Sequence, residues 1–383
     1  MITSLQLNNF KPFAKQLLEF KKLTLFSGLN STGKSSVMQS FLLLRQSYQQ
    51  GLLPGIGLAL NGDLVKVGTA RDALFDGAKE DFIGFDIFWE NNSEAIWCFR
   101  YNQEVDVLNI LMEQVTPEVY KSNLFGNNFH YLQAERIGPR PFNEMSDYQV
   151  RQLGQLGIKG EYAAHFLAIN GREVIPNSNL SHPEVKFKSQ NLEQTPNKSM
   201  DLIDQVEAWM GEISPGTRLK IEAKSDVDLM IFQYSYGDSN PYRATNVGFG
   251  ISYTLPIIVA ALASTPGTII LIENPEAHLH PKGQVKMGEL LALAASGGVQ
   301  VVIETHSDHV LNGIRLAVHG GKIAPKDVQL HYFQRQNKEG QAVTEVISPK
   351  IDRNGRIDRW PDGFFDEWDN SLEILLEPAV EGE

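Results

Sequence analysis

Eight residues, Gly28-Leu29-Asn30-Ser31-Thr32-Gly33-Lys34-Ser35, constrain this chain more than any other part of it. They fit G-x-x-x-x-G-K-[ST] at every fixed position. An apolar run, Leu23–Phe26, precedes them, and Val37, Met38, Phe41, Leu42, Leu44 and Tyr48 follow at helical spacing. The spacing predicts a strand, a tight glycine turn and an amphipathic helix from Lys34 to about Gln50. Gly28 and Gly33 permit the tight path, so successive backbone N–H groups and the helix N-terminus converge on an anion. Lys34 is expected to neutralise β- and γ-phosphate charge, and Ser35 to ligate Mg²⁺. Asn30, Ser31, Thr32 and Ser36 complete the phosphate-binding segment, and ATP is the expected ligand.

A second feature completes the chemistry. Thr268-Ile269-Ile270-Leu271-Ile272-Glu273 is a buried-type strand ending in an acid. That is the Walker B arrangement, in which a strand delivers a carboxylate beside the phosphate loop to hold Mg²⁺. Asn274-Pro275-Glu276-Ala277-His278-Leu279-His280-Pro281 follows, and one helix–strand unit later comes Val301-Val302-Ile303-Glu304-Thr305-His306-Ser307. His306, at the end of its strand, is placed to sense the γ-phosphate. Glu276, His278 and His280 also invite a metal reading, but a loop whose histidines make protein contacts is favoured.

Helix, strand, helix, strand, helix and strand alternate over residues 243–348, which implies a mostly parallel sheet. With residues 1–110 this makes one α/β core in two parts. Residues 111–242 are more polar and read as a partly helical insertion, with a surface linker or mobile loop at Lys188–Lys198 and an amphipathic helix at Asp201–Met210. Residues 349–383 form a C-terminal tail, aromatic and acidic from Trp360 to Trp368, and Glu377–Glu383 is expected to fray. The tail serves either as a hydrophobic plug on the core or as a partner surface.

Charge and composition narrow the class. The net charge of -12 argues against a general nucleic-acid coat, though a local basic strip remains compatible with it. The lone cysteine, Cys98, excludes an internal disulfide and fits a reducing, cytoplasmic setting. Met1–Leu7 alternates apolar and polar like an edge strand and does not read as a leader peptide. The most apolar stretch, Leu255–Ile272, is broken by Ser264-Thr265-Pro266-Gly267-Thr268, so it reads as helix–turn–strand and not as a membrane span.

Together these motifs resemble the ABC-type ATPase heads of the SMC, RecF and OLD (overcoming lysogenization defect) proteins. The fit is closest to prokaryotic OLD-like AAA ATPases that end in a small domain of unknown function. Tyr131–Arg140 resembles that group's middle motif and Trp360–Asp366 its closing motif. The resemblance implies an ABC-type head with a mostly parallel sheet and an inserted subdomain. It also implies two heads packed head to tail around ATP, each capping the other's γ-phosphate with a signature segment. Asn246-Val247-Gly248-Phe249-Gly250-Ile251-Ser252 is the candidate segment; its usual serine is displaced, and Asn246 or Ser252 stands in. The alternative is that Gly248 and Gly250 serve close helix packing. Arg136, with Glu135 and Arg140 beside it, is either a cation for the phosphates or half of a structural ion pair.

The larger departure is Asn274, which sits where the family's hydrolytic glutamate follows the Mg²⁺-binding acid. Asparagine cannot accept a proton, and general-base help is worth about 10²–10⁴-fold in rate. Slow turnover is expected, with Glu276 as the candidate base ahead of Glu304 and Asp308. Fewer than about 80 residues follow His306, too few for a fused nuclease domain. The resemblance therefore implies a separate effector, a nuclease in anti-phage defence, as in the ATPase subunits of Septu-type systems. Two alternatives stand beside it: a RecF-like ATPase that binds DNA, and a non-hydrolysing scaffold that dimerises around ATP.

Overall fold

The computed structural model describes residues 1–185, 198–237, 239–338 and 341–377. The linker expected at Lys188–Lys198 lies outside them up to Asn197, as does the terminus from Pro378. The chain opens with β1 (Ile2–Phe10), β2 (Phe13–Glu19), β3 (Leu23–Gly28) and α1 (Lys34–Gln49). Then come β4 (Gly57–Ala59), α2 (Ala70–Ala73), β5 (Phe82–Trp89), β6 (Glu94–Arg100) and β7 (Val107–Val115). The middle holds β8 (Phe129–Leu132), β9 (Phe142–Glu144), α3 (Ala163–Asn170), α4 (Leu202–Ile213), β10 (Thr217–Lys224), β11 (Leu229–Tyr236) and β12 (Tyr242–Arg243). The last part alternates α5 (Phe249–Ala263), β13 (Ile269–Glu273), α6 (Pro281–Ser296), β14 (Gln300–Glu304), α7 (Asp308–His319) and β15 (Val328–Lys338). It ends with β16 (Gln341–Ile347) and α8 (Glu367–Leu376).

The strands make three sheets. The sheet that carries the phosphate loop has the order β16-β15-β3-β14-β13-β8 and is parallel except for β16. The other two, β2-β1-β5-β6-β7-β4 and the small sheet of β9 to β12, are antiparallel.

The parallel sheet is buried on both faces, which is why its strands read as unbroken apolar runs. Ile270 and Ile272 of β13 point into a core shared with α4, α5, α6 and α7. Ile269 and Leu271 point the other way, into a core shared with α1 and the antiparallel sheet that contains β1.

Three expectations need correction. First, β1 is no edge strand: it lies between β2 and β5, and its alternation reflects burial of one face. Second, α1 is not amphipathic. Ser36, Ser40, Arg45, Gln46 and Ser47 are buried along with its apolar residues, because the helix is sandwiched between two sheets. Several of its polar groups bond nearby carbonyls; Ser47 donates to Leu43 O at 2.6 Å and Gln46 to Ala59 O at 2.9 Å. Third, the segment 111–242 is not purely an insertion. β7 crosses its first boundary, and β8 pairs in parallel with β13 inside the core sheet. Four residues buried on every side, Phe129–Leu132, carry no alternation that marks them as a strand.

The apolar stretch from Leu255 divides into α5, a turn and β13, as its breaker residues indicate. No helix among the described residues is long and apolar enough to cross a membrane.

Arg45 ties α1 to the entry of β8. Its Nη1 donates to Leu124 O and Gly126 O, both at 2.8 Å, and its guanidinium lies 4.3 Å from the Phe129 ring centroid. Arg45→Met would keep the packing but strand both carbonyls. A loss of roughly 2–4 kcal/mol is expected from the urea midpoint. Wild-type stability in that variant would mean that water serves both carbonyls.

Candidate functional site

The site begins where β3 runs into α1. Gly28 has φ +137°, and a Cβ there would sit 2.1 Å from Phe333 O on the neighbouring β15. Glycine is therefore required both by the backbone path and by the adjacent strand. Gly33 precedes the helix at φ +101°, where a Cβ would meet Pro12 Cγ at 2.6 Å. Between the two glycines, Asn30 and Ser31 form the exposed tip of the loop.

Lys34 is only 3% exposed. Its ammonium turns back into the loop and donates to Gly28 O at 2.9 Å and Leu29 O at 2.8 Å. Burial lowers its pKa, and Glu304 opposes that shift. Thr32 Oγ1 also donates to Leu29 O, at 2.8 Å. From outside, Arg335 Nη2 donates to Ser31 O and Thr344 Oγ1 to Thr32 O, each at 2.9 Å. β15 and β16 therefore brace the loop. Ser36 lies on the buried side of α1.

Two carboxylates end neighbouring strands. In register, Glu273 of β13 faces Glu304 of β14, and Glu304 faces Phe26 of β3. Because β14 separates β13 from the strand that feeds the loop, Glu304 is the carboxylate that reaches Ser35. Ser35 Oγ lies 2.9 Å from Glu304 Oε2 and 3.1 Å from Oε1, and Lys34 Nζ lies 3.9 Å from Oε1. Burial, then the charges of Glu273 and Glu276, push the Glu304 carboxyl up to about 7, while Ser35 and Lys34 pull it down.

Glu273 is engaged on its other side. Tyr131 OH donates to its Oε1 and the Ala134 amide to its Oε2, both at 3.0 Å. Neighbouring Glu273 and burial push the Tyr131 hydroxyl well above its usual range, burial being the larger cause. Glu276 is held by the segment after β14: Thr305 Oγ1 donates to its Oε2 at 2.7 Å and the His306 amide to its Oε1 at 2.8 Å. The His306 side chain is exposed; its surroundings, and then Lys34, hold its pKa below the ordinary value despite Glu276.

Arg136 does not face a phosphate site. Its guanidinium donates to Gln133 O at 2.9 Å, Glu273 O at 2.6 Å, Asn274 O at 2.6 Å and Tyr253 O at 3.0 Å. All three nitrogens are spent on carbonyls, so Arg136 clamps the end of β13 in place; burial lowers its pKa to about 10. Neither alternative raised by the sequence, phosphate ligand or side-chain ion pair, describes that role.

Asn274 adopts φ +46° and donates its amide to Glu304 O at 2.8 Å. The segment 246–252 meets the loop after β13. A Cβ on Gly250 would lie 2.6 Å from His278 O, and the His278 ring lies 5.3 Å from Phe249 and 4.7 Å from Tyr253. Gly250 thus serves close packing. Gly248 has open space around it, and with exposed Asn246 and Phe249 it leaves the start of α5 facing solvent. His280 caps α6 by accepting from the Lys282 amide at 3.3 Å.

The loop glycines, Lys34, Ser35, Glu304, Glu273, Glu276 and His306 form one contiguous group around the carboxyl ends of β3, β14 and β13. A buried ammonium hydrogen-bonded to its own loop's carbonyls, with a serine hydroxyl and a buried acid beside it, fits a Mg²⁺-nucleotide: Lys34 and the loop amides would hold phosphates and Ser35 the metal. Glu304 ranked low in the sequence reading, although it ends an apolar strand just as Glu273 does. Arg335 and Thr344 left no local signal, since their partners lie some three hundred residues away.

Known families match three segments. "AAA ATPase domain" covers residues 1–85, "AAA domain, putative AbiEii toxin, Type IV TA system" covers 160–312, and "Protein of unknown function (DUF3696)" covers 323–375. No curated protein matches the sequence significantly. Among solved structures, an SmcHead bound to the C-winged helix domain of ScpA shares 13% identity at TM-score 0.49, over 91% of this chain and 98% of that one. The SMC head domain from Thermotoga maritima shares 9% at TM-score 0.47, over 90% and 98%. The Smc head from Pyrococcus furiosus, with an extended coiled coil and bound to the C-terminal domain of ScpA, shares 11% at TM-score 0.50, over 98% and 99%. The fold is thus that of an SMC head, and the sequence is similar to AAA ATPase domains in two segments and to a domain of unknown function in its C-terminal segment.

Proposed function

We propose that this chain is an ATPase head that binds Mg²⁺–ATP at Gly28–Ser36, hydrolyses it slowly, and pairs with a second copy across the nucleotide. In that role it gates a separate effector, a nuclease acting in anti-phage defence. The observation that carries the nucleotide part is Lys34, an ammonium 3% exposed whose hydrogen bonds run to the loop's own carbonyls at Gly28 and Leu29. Phosphate oxygens would replace those carbonyls, and charge-assisted bonds to a phosphate are stronger than bonds to a neutral carbonyl.

The solvent-facing start of α5, at Gly248 and Phe249, supports pairing. Phe249 is 54% exposed beside a helix N-terminus, a combination suited to a second head's nucleotide. α8 supports a docked effector: Trp368, Ile374, Leu375 and Leu376 stand exposed on it. The defence setting rests on the toxin–antitoxin description of the family matched at residues 160–312 and on the resemblance to OLD-like ATPases. The Smc head of Pyrococcus furiosus, which is bound to part of ScpA, gives a precedent for a partner on a head of this fold.

Asn274 favours a second reading, a scaffold that dimerises on ATP without cleaving it. Phosphate release under single turnover separates the two.

Lys34→Ala is expected to weaken ATP binding by about 10–100-fold, read by equilibrium titration. Unchanged affinity would remove the nucleotide site. Glu276→Gln is expected to slow single-turnover hydrolysis by about 10²-fold or more. A wild-type rate would exclude Glu276 as the base. Co-expression with the products of neighbouring genes should yield a complex whose nuclease activity depends on ATP; a chain that stays alone with every neighbour would remove the effector.

A further inference from the structure

We propose that the cleft between α7 and the C-terminal tail seats a basic, amphipathic segment of a partner protein. The proposal rests on the effector reading above for the existence of a partner. It adds where that partner docks and what its surface must carry.

The cleft has a volume of about 320 Å³. Three carboxylates line it, Asp308, Asp366 and Asp369, together with three aromatic rings, Trp360, Phe365 and Trp368. That volume lies at the small end for a ligand pocket, enough for one or two long side chains.

The walls select a cation. Among the described residues, none of the three carboxylates is paired with a lysine or arginine. Asp308 has only its neighbour His309, at 3.7 Å, and the Asp366 carboxylate accepts the nearby Gly363 amide at 3.0 Å. The one lysine or arginine in the lining, Arg315, is already engaged. Its Nε donates to Gly355 O and its Nη1 to Asn312 Oδ1, both at 2.8 Å. The Arg315 guanidinium lies 5.5 Å from the Trp360 ring centroid, so this ring already attracts one cation, and it is still 45% exposed. Aromatic faces beside carboxylates attract a guanidinium or ammonium and repel phosphate. That argues against nucleic acid and anionic lipid. No group of acids and histidines among the described residues is arranged to hold a metal ion, so the cation is organic.

The surface beyond the cleft points to a protein as its source. α8 has ten residues, and none is buried. Trp368, Leu372 and Leu375 recur at i, i+4 and i+7 and form one exposed apolar stripe that starts at the cleft. A free small cation would leave that stripe in water. An amphipathic segment covers it while setting its charges against the acids. The charge is one-sided throughout: from Trp360 to Glu383 the sequence has eight acidic residues and no lysine, arginine or histidine. Two copies of this tail would set like charges against each other, so the occupant is a different, basic chain.

The test uses the full chain and two synthetic peptides of equal length. Both carry leucine at i, i+3, i+4 and i+7; one has arginine and the other glutamate elsewhere. Binding is read by fluorescence anisotropy. The arginine peptide is expected to bind about tenfold or more tighter than the glutamate peptide, and less tightly as salt rises. Trp368→Ala and Asp369→Lys, both at exposed positions, should each weaken it about 5–10-fold. Asp81→Lys, which reverses an exposed acid just before β5, should leave it unchanged. Equal losses in Asp81→Lys and Asp369→Lys, or no preference for the arginine peptide, overturn the proposal, because net charge alone would then explain binding. Tighter binding to anionic vesicles or duplex DNA overturns it as well. The same variants enter the co-expression experiment. A nuclease that binds Trp368→Ala and Asp369→Lys as well as wild type keeps the effector reading and overturns the cleft as its seat. Cleft-dependent peptide binding with no bound neighbour supports the cleft and sinks the effector, a distinct result.

Discussion

A single buried ammonium organises the molecule. Lys34 lies among groups that would normally leave a cation in water, and it is tolerated because the loop folds its own carbonyls onto it. That folding requires backbone shapes only glycine supplies at Gly28 and Gly33, which in turn lets β15 and Phe13 press against the loop. The contacts brace the loop from both sides. On the nucleotide reading proposed above, phosphates would exchange with the Gly28 and Leu29 carbonyls at Lys34, and a loop already braced in this way lowers the entropic cost of capture.

The C-terminal segment belongs to this arrangement. Phe333 backs Gly28, while Arg335 and Thr344 hold the carbonyls of Ser31 and Thr32. The same hairpin anchors the tail, since Tyr332 OH donates to Asp362 O at 2.9 Å and Phe364 is fully buried against the Tyr332 ring. Force or a partner acting on the tail thus has a short covalent and packed path to the phosphate loop. α8 continues from that anchor, yet its own apolar side chains lie outside the core. Of the roles weighed from sequence for the aromatic tail, the plug falls to Phe364, while Trp368 stands exposed.

Much of the site was legible because its parts are local. A glycine loop between a strand and a helix, or an acid after four aliphatic residues, announces itself within ten residues. What escaped depends on which strand lies beside which. Glu273 and Glu304 have the same local signature, and only the order β3-β14-β13 decides which reaches Ser35. β8 escaped for the same reason, because its strand character comes from pairing with β13 and not from its own pattern. The two roles open to Arg136 from sequence, phosphate cation or half of an ion pair, both missed its grip on four carbonyls, because a lone arginine near a motif carries no information about carbonyls contributed by distant turns. The polar residues of α1 appeared to mark a solvent face, but the second sheet covers it.

The departure at Asn274 has a structural basis in the turn that leaves β13. The residue there adopts a left-handed backbone, and its amide is spent on Glu304 O. Asparagine enters that region readily, whereas a longer side chain pays roughly 1–2 kcal/mol to do so. The turn also aims the chain so that Glu276, two residues on, meets the Thr305 hydroxyl and the His306 amide. An acid is thus delivered to the segment after β14 and not directly after β13. Glu276 thus ties the backbone at His306 to the turn after β13, and Arg136 grips the carbonyls of Glu273 and Asn274 at the start of that turn. The loop after β13 therefore carries its first carboxylate at Glu276, where it links the end of β13 to the segment after β14.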